Sequence, residues 1–244
     1  MSAPRLVGVG VGPGDPELVT VKAVREMREA DVVLVPVMDE GTTGRAEATV
    51  LAHVDSDRVR RVMFALDDRG GVTPRREQAW DAAAAAVVEA YRVGARSAAF
   101  ATIGDPNVYS TFSYLAQSVR CVVPDLIVDT VPGITAMQDL AARSGTVLCE
   151  GTESLALLPL TAGINTFRSA LEHFDTVVAY KGGRHMPAVL DVLRETGRID
   201  TAVYGAGLGL ASEDVRSAAT VAGESPYLST VIVPAVRAGR GERL

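Results

Sequence analysis

Apolar positions along the chain fall into short unbroken runs, separated by polar stretches rich in glycine and proline. Residues 6–11 (LVGVGV), 31–36 (DVVLVP), 59–63 (VRRVM), 98–103 (AAFATI) and 126–131 (LIVDTV) have strand length. The continuous runs among them are those expected of strands covered on both faces. Helical spacing returns between them. Thr20 caps a helix with Val21, Val24 and Met27 on one face, and residues 42–52 form a second helix. Pro74 stands where a first-turn proline belongs, opening an alanine-rich helix that Gly94 ends. Phe112, Tyr114 and Leu115 begin another helix, and residues 135–143 a further one. Strands and helices in alternation predict a parallel α/β sheet.

Beyond about residue 125 the pattern changes. SLALLPL, DTVVAYK, TAVYGAG, SAATVAG and LSTVIVP read as strands, with clear helices only at residues 163–173 and 186–195. More strands per helix predicts a mixed sheet. The fold class is therefore α/β with two α/β domains, residues 1–124 and 125–244.

Composition narrows the partners. The hydrophobic fraction is 48% and mean hydropathy +0.18, ample for buried cores. A net charge of −6 lacks the broad positive field that a general nucleic-acid or membrane-surface binder needs. The start MSAPRLVGVG has no signal-peptide pattern, and no apolar run reaches membrane-span length. Cys121 and Cys149 have no metal-ligand spacing, and His53, His173 and His185 are scattered, so no metal site is expected. A reducing, cytoplasmic setting is the default expectation.

The candidate chemistry lies where the runs stop. Residues 6–11 lead into Gly12-Pro13-Gly14-Asp15-Pro16, residues 98–103 into Gly104-Asp105-Pro106, and residues 126–131 into Pro132-Gly133-Ile134-Thr135-Ala136. The first turn is no Walker loop, because no lysine precedes Lys22. Nor is it a dinucleotide fingerprint: the third glycine required would fall on Pro13 or Asp15. What remains is a set of turns at strand carboxyl ends, where open α/β sheets bind ligands. Asp15 and Asp105 read as acceptors that stabilise turns ahead of an acid–base pair. Tyr109 and Tyr114 suit core aromatics or ligand contacts equally. Arg75 and Arg76 occupy a first helical turn, where cations are mildly unfavourable.

In order and spacing, GVGPGDPELVT, GDPNVYSTFSYL and VPGITAM resemble the tetrapyrrole methylase family over nearly the whole chain. ATIGDPNVYSTFSYL, CEGTESLALLPL, VVAYKGGRH and ESPYLSTVIVP are most similar to the branch that methylates C20 of precorrin-2. Tyr180-Lys181-Gly182-Gly183 departs from the Met-Lys-x-Gly common in relatives. The resemblance implies an S-adenosyl-L-methionine-dependent C-methyltransferase of cobalamin synthesis, giving precorrin-3A. It also implies a homodimer with the cofactor folded in a cleft between the domains. Cofactor contacts would come from Pro13, Ile103, Gly104, Asp105, Val108, Ser110, Thr111, Thr135 and Ala136, and from strand ends at Lys181, Ala206 and Thr230. Substrate contacts would come from Asp15, Tyr109, the loop arginines Arg69, Arg75 and Arg76, and Arg184, which suit the eight carboxylates of precorrin-2. No side chain is singled out as a general base. Cobalt-precorrin-2, another tetrapyrrole position, or a non-catalytic small-molecule-binding module remain alternatives.

Overall fold

A computed structural model describes residues 3–39, 41–65, 71–239, 241 and 243. Contacts divide the chain into two units, Met1–Thr135 and Ala136–Leu244. In the first, the apolar runs become β1 (Arg5–Gly10), β2 (Val32–Val37), β3 (Val59–Met63), β4 (Ser97–Thr102) and β5 (Ile127–Val131). Their order is β3-β2-β4-β1-β5, and every pairing is parallel. The helices are α1 (Val21–Glu29), α2 (Arg45–Leu51), α3 (Pro74–Arg92) and α4 (Phe112–Val122).

The two-residue period of a strand sorts these side chains between two layers. Leu6, Leu34, Ala98 and Phe100 pack with residues of α3 and α4. Val7, Val9, Val33, Val35, Ala99 and Ala101 pack with residues of α1 and α2 on the other face. Both faces are covered, which is why these strands lack polar alternation.

Thr20 and Thr73 cap α1 and α3, accepting from Ala23 N at 3.1 Å and Arg76 N at 3.2 Å. Val21 departs from expectation: it is 89% exposed, and Ala23 and Met27 form the buried stripe of α1. Two residues are about 200° apart around a helix, so burying Ala23 turns Val21 outward.

The division after Thr135 lies later than the expected boundary after residue 124. The reason is β5, which pairs with β1 along Arg5–Val9 and so belongs to the first sheet.

The second unit contains α5 (Ala136–Ser144), β6 (Leu155–Pro159), α6 (Ile164–His173), β7 (Thr176–Tyr180), α7 (Met186–Glu195), β8 (Val203–Ala206), β9 (Asp214–Ser217) and β10 (Ser229–Val233). Its order is β6-β7-β10-β8-β9. The β6–β7 pair is parallel and the others antiparallel, a mixed sheet as the strand-rich pattern predicts. SAATVAG, expected as a strand, instead holds a 3-10 turn at Ala218–Thr220, and β9 lies just upstream. The Ser217 hydroxyl accepts from Ala219 N at 3.3 Å and turns the chain, while Ala218 and Val221 plug the core.

Asp31 ties the two ends of the first sheet's inner strands. One carboxylate oxygen accepts from Arg96 N, Ser97 N and Ser97 Oγ at 2.8, 2.8 and 2.9 Å. The backbone bonds from Arg96 and then Ser97 hold its pKa below the usual aspartate value. Such a group stabilises the fold fully above the unfolded-state pKa, and the contribution is lost as pH falls through the lower folded-state value. Asp31→Ala should therefore lower Tm at pH 7, with the gap from the parent narrowing as both are melted at progressively more acidic pH. An equal gap at every pH would show that ionisation of Asp31 contributes nothing.

Candidate functional site

Three adjacent parallel strands, β4, β1 and β5, end beside one another, and their turns are held backbone against backbone. Gly104 N donates to Gly12 O at 2.8 Å. A Cβ on Gly133 would stand 2.1 Å from Gly104 O and 2.8 Å from Gly10 Cα. One on Gly10 would stand 2.5 Å from Gly104 O. On this side the turns have no room for any side chain. Gly104 itself has φ +70°, and a Cβ there would meet only Thr135 Cα, at 3.9 Å. That side is an open cradle of main chain.

Asp105 fastens two of these turns. Its Oδ2 accepts from Gly133 N at 3.0 Å and its Oδ1 from Asn107 N at 2.8 Å. Asn107 Nδ2 donates to Thr130 Oγ1 at 3.2 Å, a second tie from the β4 turn to β5. Ser110 Oγ accepts from Phe112 N and donates to Thr102 Oγ1, both at 3.1 Å, so it braces the entry to α4. Thr111 precedes α4 without a side-chain cap bond. Tyr109 sits in the left-handed region at φ 51°, a conformation that costs a non-glycine residue about 1–2 kcal/mol. Its ring is 45% exposed, and desolvation raises its hydroxyl above the usual tyrosine pKa. Ile103 and Val108 are part-buried in the same turn.

The loop after β1 is held from α2 and from the turn that follows it. Thr49 Oγ1 shares its one proton between Gly14 O at 3.4 Å and Arg45 O at 3.3 Å, and His53 Nε2 lies 2.9 Å from Pro16 O, where it must donate to a carbonyl. Pro13 is buried, and the Asp15 Oδ1 accepts from Glu17 N at 2.9 Å, the expected turn-stabilising bond. Sequence reasoning missed both anchors, because no local pattern links Thr49 in α2 or His53 in the turn after it to the loop after β1.

In the second unit, the antiparallel start of β10 meets the ends of β7 and β8. Thr230 is in register with Tyr180 and Gly205, and Ser229 with Ala206, which brings Lys181, Ala206 and Thr230 to one sheet edge. Lys181 has φ 62°, and its Nζ lies 5.9 Å over the Tyr227 ring. Ala136 begins α5, which packs on β8, β9 and β10. Met137 N donates to the Tyr180 hydroxyl at 2.9 Å. Arg184 is exposed in the Gly183–His185 turn.

Of the expected loop arginines, Arg75 is exposed, and Arg76 donates through Nη1 to Gly71 O at 2.9 Å. Arg69 lies outside the described residues. Tyr114 is no core residue: it is 45% exposed and stacks on Trp80 with ring centroids 4.6 Å apart.

A parallel α/β unit with glycine turns massed at three strand ends, followed by a mixed-sheet α/β unit, defines a two-unit α/β class with ligand-ready strand termini. The chain belongs to the tetrapyrrole (corrin/porphyrin) methylase family, whose model matches residues 5–222. It is 33% identical over 236 residues to a Sinorhizobium precorrin-2 C(20)-methyltransferase, covering 94% of this chain and 95% of that protein. It is 28% identical over 244 residues to the cobalt-precorrin-2 C(20)-methyltransferase of Salmonella typhimurium, with the same 94% and 95% coverage. The fold is similar to that of a Thermus thermophilus uroporphyrin-III C-methyl transferase crystallised with S-adenyl homocysteine. That likeness has a TM-score of 0.63 at 22% identity, over 93% of this chain and 96% of the other.

Proposed function

We propose that this protein is the S-adenosyl-L-methionine-dependent methyltransferase that converts precorrin-2 to precorrin-3A by methylating C20. The observation that carries the reading is the 33% identity, over 94% of this chain, with a protein of that named activity. The cradle agrees with it. The open main-chain side of Gly104, held in place by the close packing of Gly10 and Gly133 on its other side, suits close approach of a ligand that is gripped by backbone groups.

The family resemblance supports Pro13, Ile103, Gly104, Asp105, Val108, Ser110, Thr111, Thr135, Ala136, Lys181, Ala206 and Thr230 as the cofactor contacts. Bound S-adenosylmethionine supplies a methyl group on a sulfonium, already electrophilic enough that no covalent enzyme intermediate is required. The chain's own task is to orient and to exclude water, effects that can supply roughly 7–11 kcal/mol of a barrier. Ties such as Asp105 to Gly133 N suit that task because they fix backbone donors before any ligand arrives. Asp15, Tyr109, Arg75, Arg76 and Arg184, together with Arg69, are the proposed substrate contacts.

Metal-free precorrin-2 is favoured over the cobalt form by the higher identity to the protein named for it. The reading includes a homodimer, as the family resemblance implies. It also includes a cytoplasmic location, with which the free Cys121 and Cys149 agree. The test is turnover with precorrin-2 and with cobalt-precorrin-2, the new methyl being located by NMR. C20 methylation with faster turnover of the metal-free form is expected. Methylation elsewhere would overturn the regiochemistry. Calorimetry should show one S-adenosylmethionine bound per chain without added metal, and turnover failing despite that binding would reduce the protein to a binding module.

A further inference from the structure

Among the described residues, Arg45 has no counterion at the carboxyl edge of the first sheet. It opens α2, directly after Gly44, where a Cβ would stand 3.0 Å from Pro36 O and 3.4 Å from Val37 Cγ1 at the end of β2. Arg45 and Thr49 are four residues apart in α2 and so share one face, and His53 follows in the turn after the helix. The latter two bond Gly14 O and Pro16 O of the loop after β1. Arg45 therefore lies one helical turn from Thr49, the residue of α2 that reaches the Gly12-Pro13-Gly14 turn.

Its guanidinium is partly buried and, among the described residues, takes part in no hydrogen bond or ion pair. The acid nearest in sequence is already committed. Glu47 Oε1 accepts from Arg61 Nε at 2.8 Å and Oε2 from Gly44 N at 3.2 Å. Desolvation alone pulls the pKa of Arg45 below the usual arginine value, with no carboxylate raising it. Partial burial of an uncompensated charge opposes folding, and such an arrangement persists where the partner arrives with a ligand. The fixed fork of a guanidinium matches a carboxylate in two parallel bonds.

We propose that Arg45 is a substrate-binding residue that takes a peripheral carboxylate of the tetrapyrrole beside the Gly12-Pro13-Gly14 turn. The proposal rests on the function argued above. Carboxylates also occur on S-adenosylmethionine, so the test separates the two sources. Arg45→Gln and Arg45→Lys are compared with the parent in precorrin-2 KM, in S-adenosylmethionine Kd by calorimetry, and in binding of uroporphyrin III, an octacarboxylate porphyrin, by fluorescence quenching. Arg45→Gln should raise KM and weaken uroporphyrin III binding by roughly 10- to 100-fold, the range for losing a charged hydrogen-bonded pair. Cofactor Kd should stay within about twofold, and Arg45→Lys should fall between. The ligand-free Arg45→Gln protein should melt no lower than the parent, because its folded state loses an unpaired charge. That readout separates a ligand role from a structural one.

Unchanged KM and porphyrin binding would overturn the proposal, as would a loss confined to the cofactor. A parent inactive on precorrin-2 would instead overturn the reaction, while uroporphyrin III binding would still decide the role of Arg45.

Discussion

Gly133→Ala should abolish measurable S-adenosylmethionine binding and destabilise the protein by about 3 kcal/mol or more, beyond the usual range for overpacking. The added methyl would lie 2.1 Å from Gly104 O and 2.8 Å from Gly10 Cα, both main-chain atoms. A side chain could rotate away, but here relief requires separating the ends of β4, β1 and β5. Those pairings join the central strand β4 to the edge strand β5 through β1, which is hydrogen-bonded to both neighbours along its length. Gly145→Ala is the control, since Gly145 has φ +67° with open space around it. It carries only the left-handed backbone penalty, about 1–2 kcal/mol. Thermal melts and calorimetry on both variants check the claim. If Gly133→Ala melts and binds cofactor like the control, the three turns are not locked together, and the cradle loses its physical basis.

The sequence makes the first sheet legible because its signals are local and redundant. The runs VVLVP and AAFAT are too apolar to face water on either side, and Thr20, Thr73, Pro74 and Gly94 mark helix ends by chemistry that requires no tertiary context. Where those signals compete, the reading fails. SAATVAG is apolar enough for a strand, yet its serine bonds the backbone and turns it, while the polar DVRS forms the sheet edge. An edge strand needs little burial, so periodicity does not reveal it.

The same contrast holds for the site. Gly12, Gly104 and Gly133 announce their turns, but only coordinates show that Gly10, Gly104 and Gly133 touch. Thr49 and His53 anchor the loop from residues 35 and 37 positions away, a distance over which no sequence pattern links them. Arg45 was invisible for a further reason: what distinguishes it is the lack of a partner among the described residues, and sequence shows residues, not pairings.

Asp105→Ala should lower stability and cofactor affinity together. Its two carboxylate oxygens accept from Gly133 N and Asn107 N at 3.0 and 2.8 Å, so alanine leaves two backbone donors without their acceptor. Hydrogen bonds to charged groups contribute about 1.5–3 kcal/mol each, and the partial exposure of Asp105 lets water replace some of that. A net loss of roughly 2–3 kcal/mol in stability follows. Cofactor affinity should fall by roughly 1–3 kcal/mol, about 5- to 150-fold, because the turn released at Gly133 leads directly to Thr135 and Ala136. Asp105→Asn gives the finer test. Whichever way the amide turns, its oxygen can serve one backbone N–H while its NH₂ group faces the other, so about half of each loss should remain. A residue that only touched ligand would lose affinity at unchanged Tm, and one that only shaped a remote turn would lose Tm at unchanged affinity. Parallel losses in both measurements, halved in the asparagine variant, are the signature of a carboxylate that holds the cradle in its binding shape.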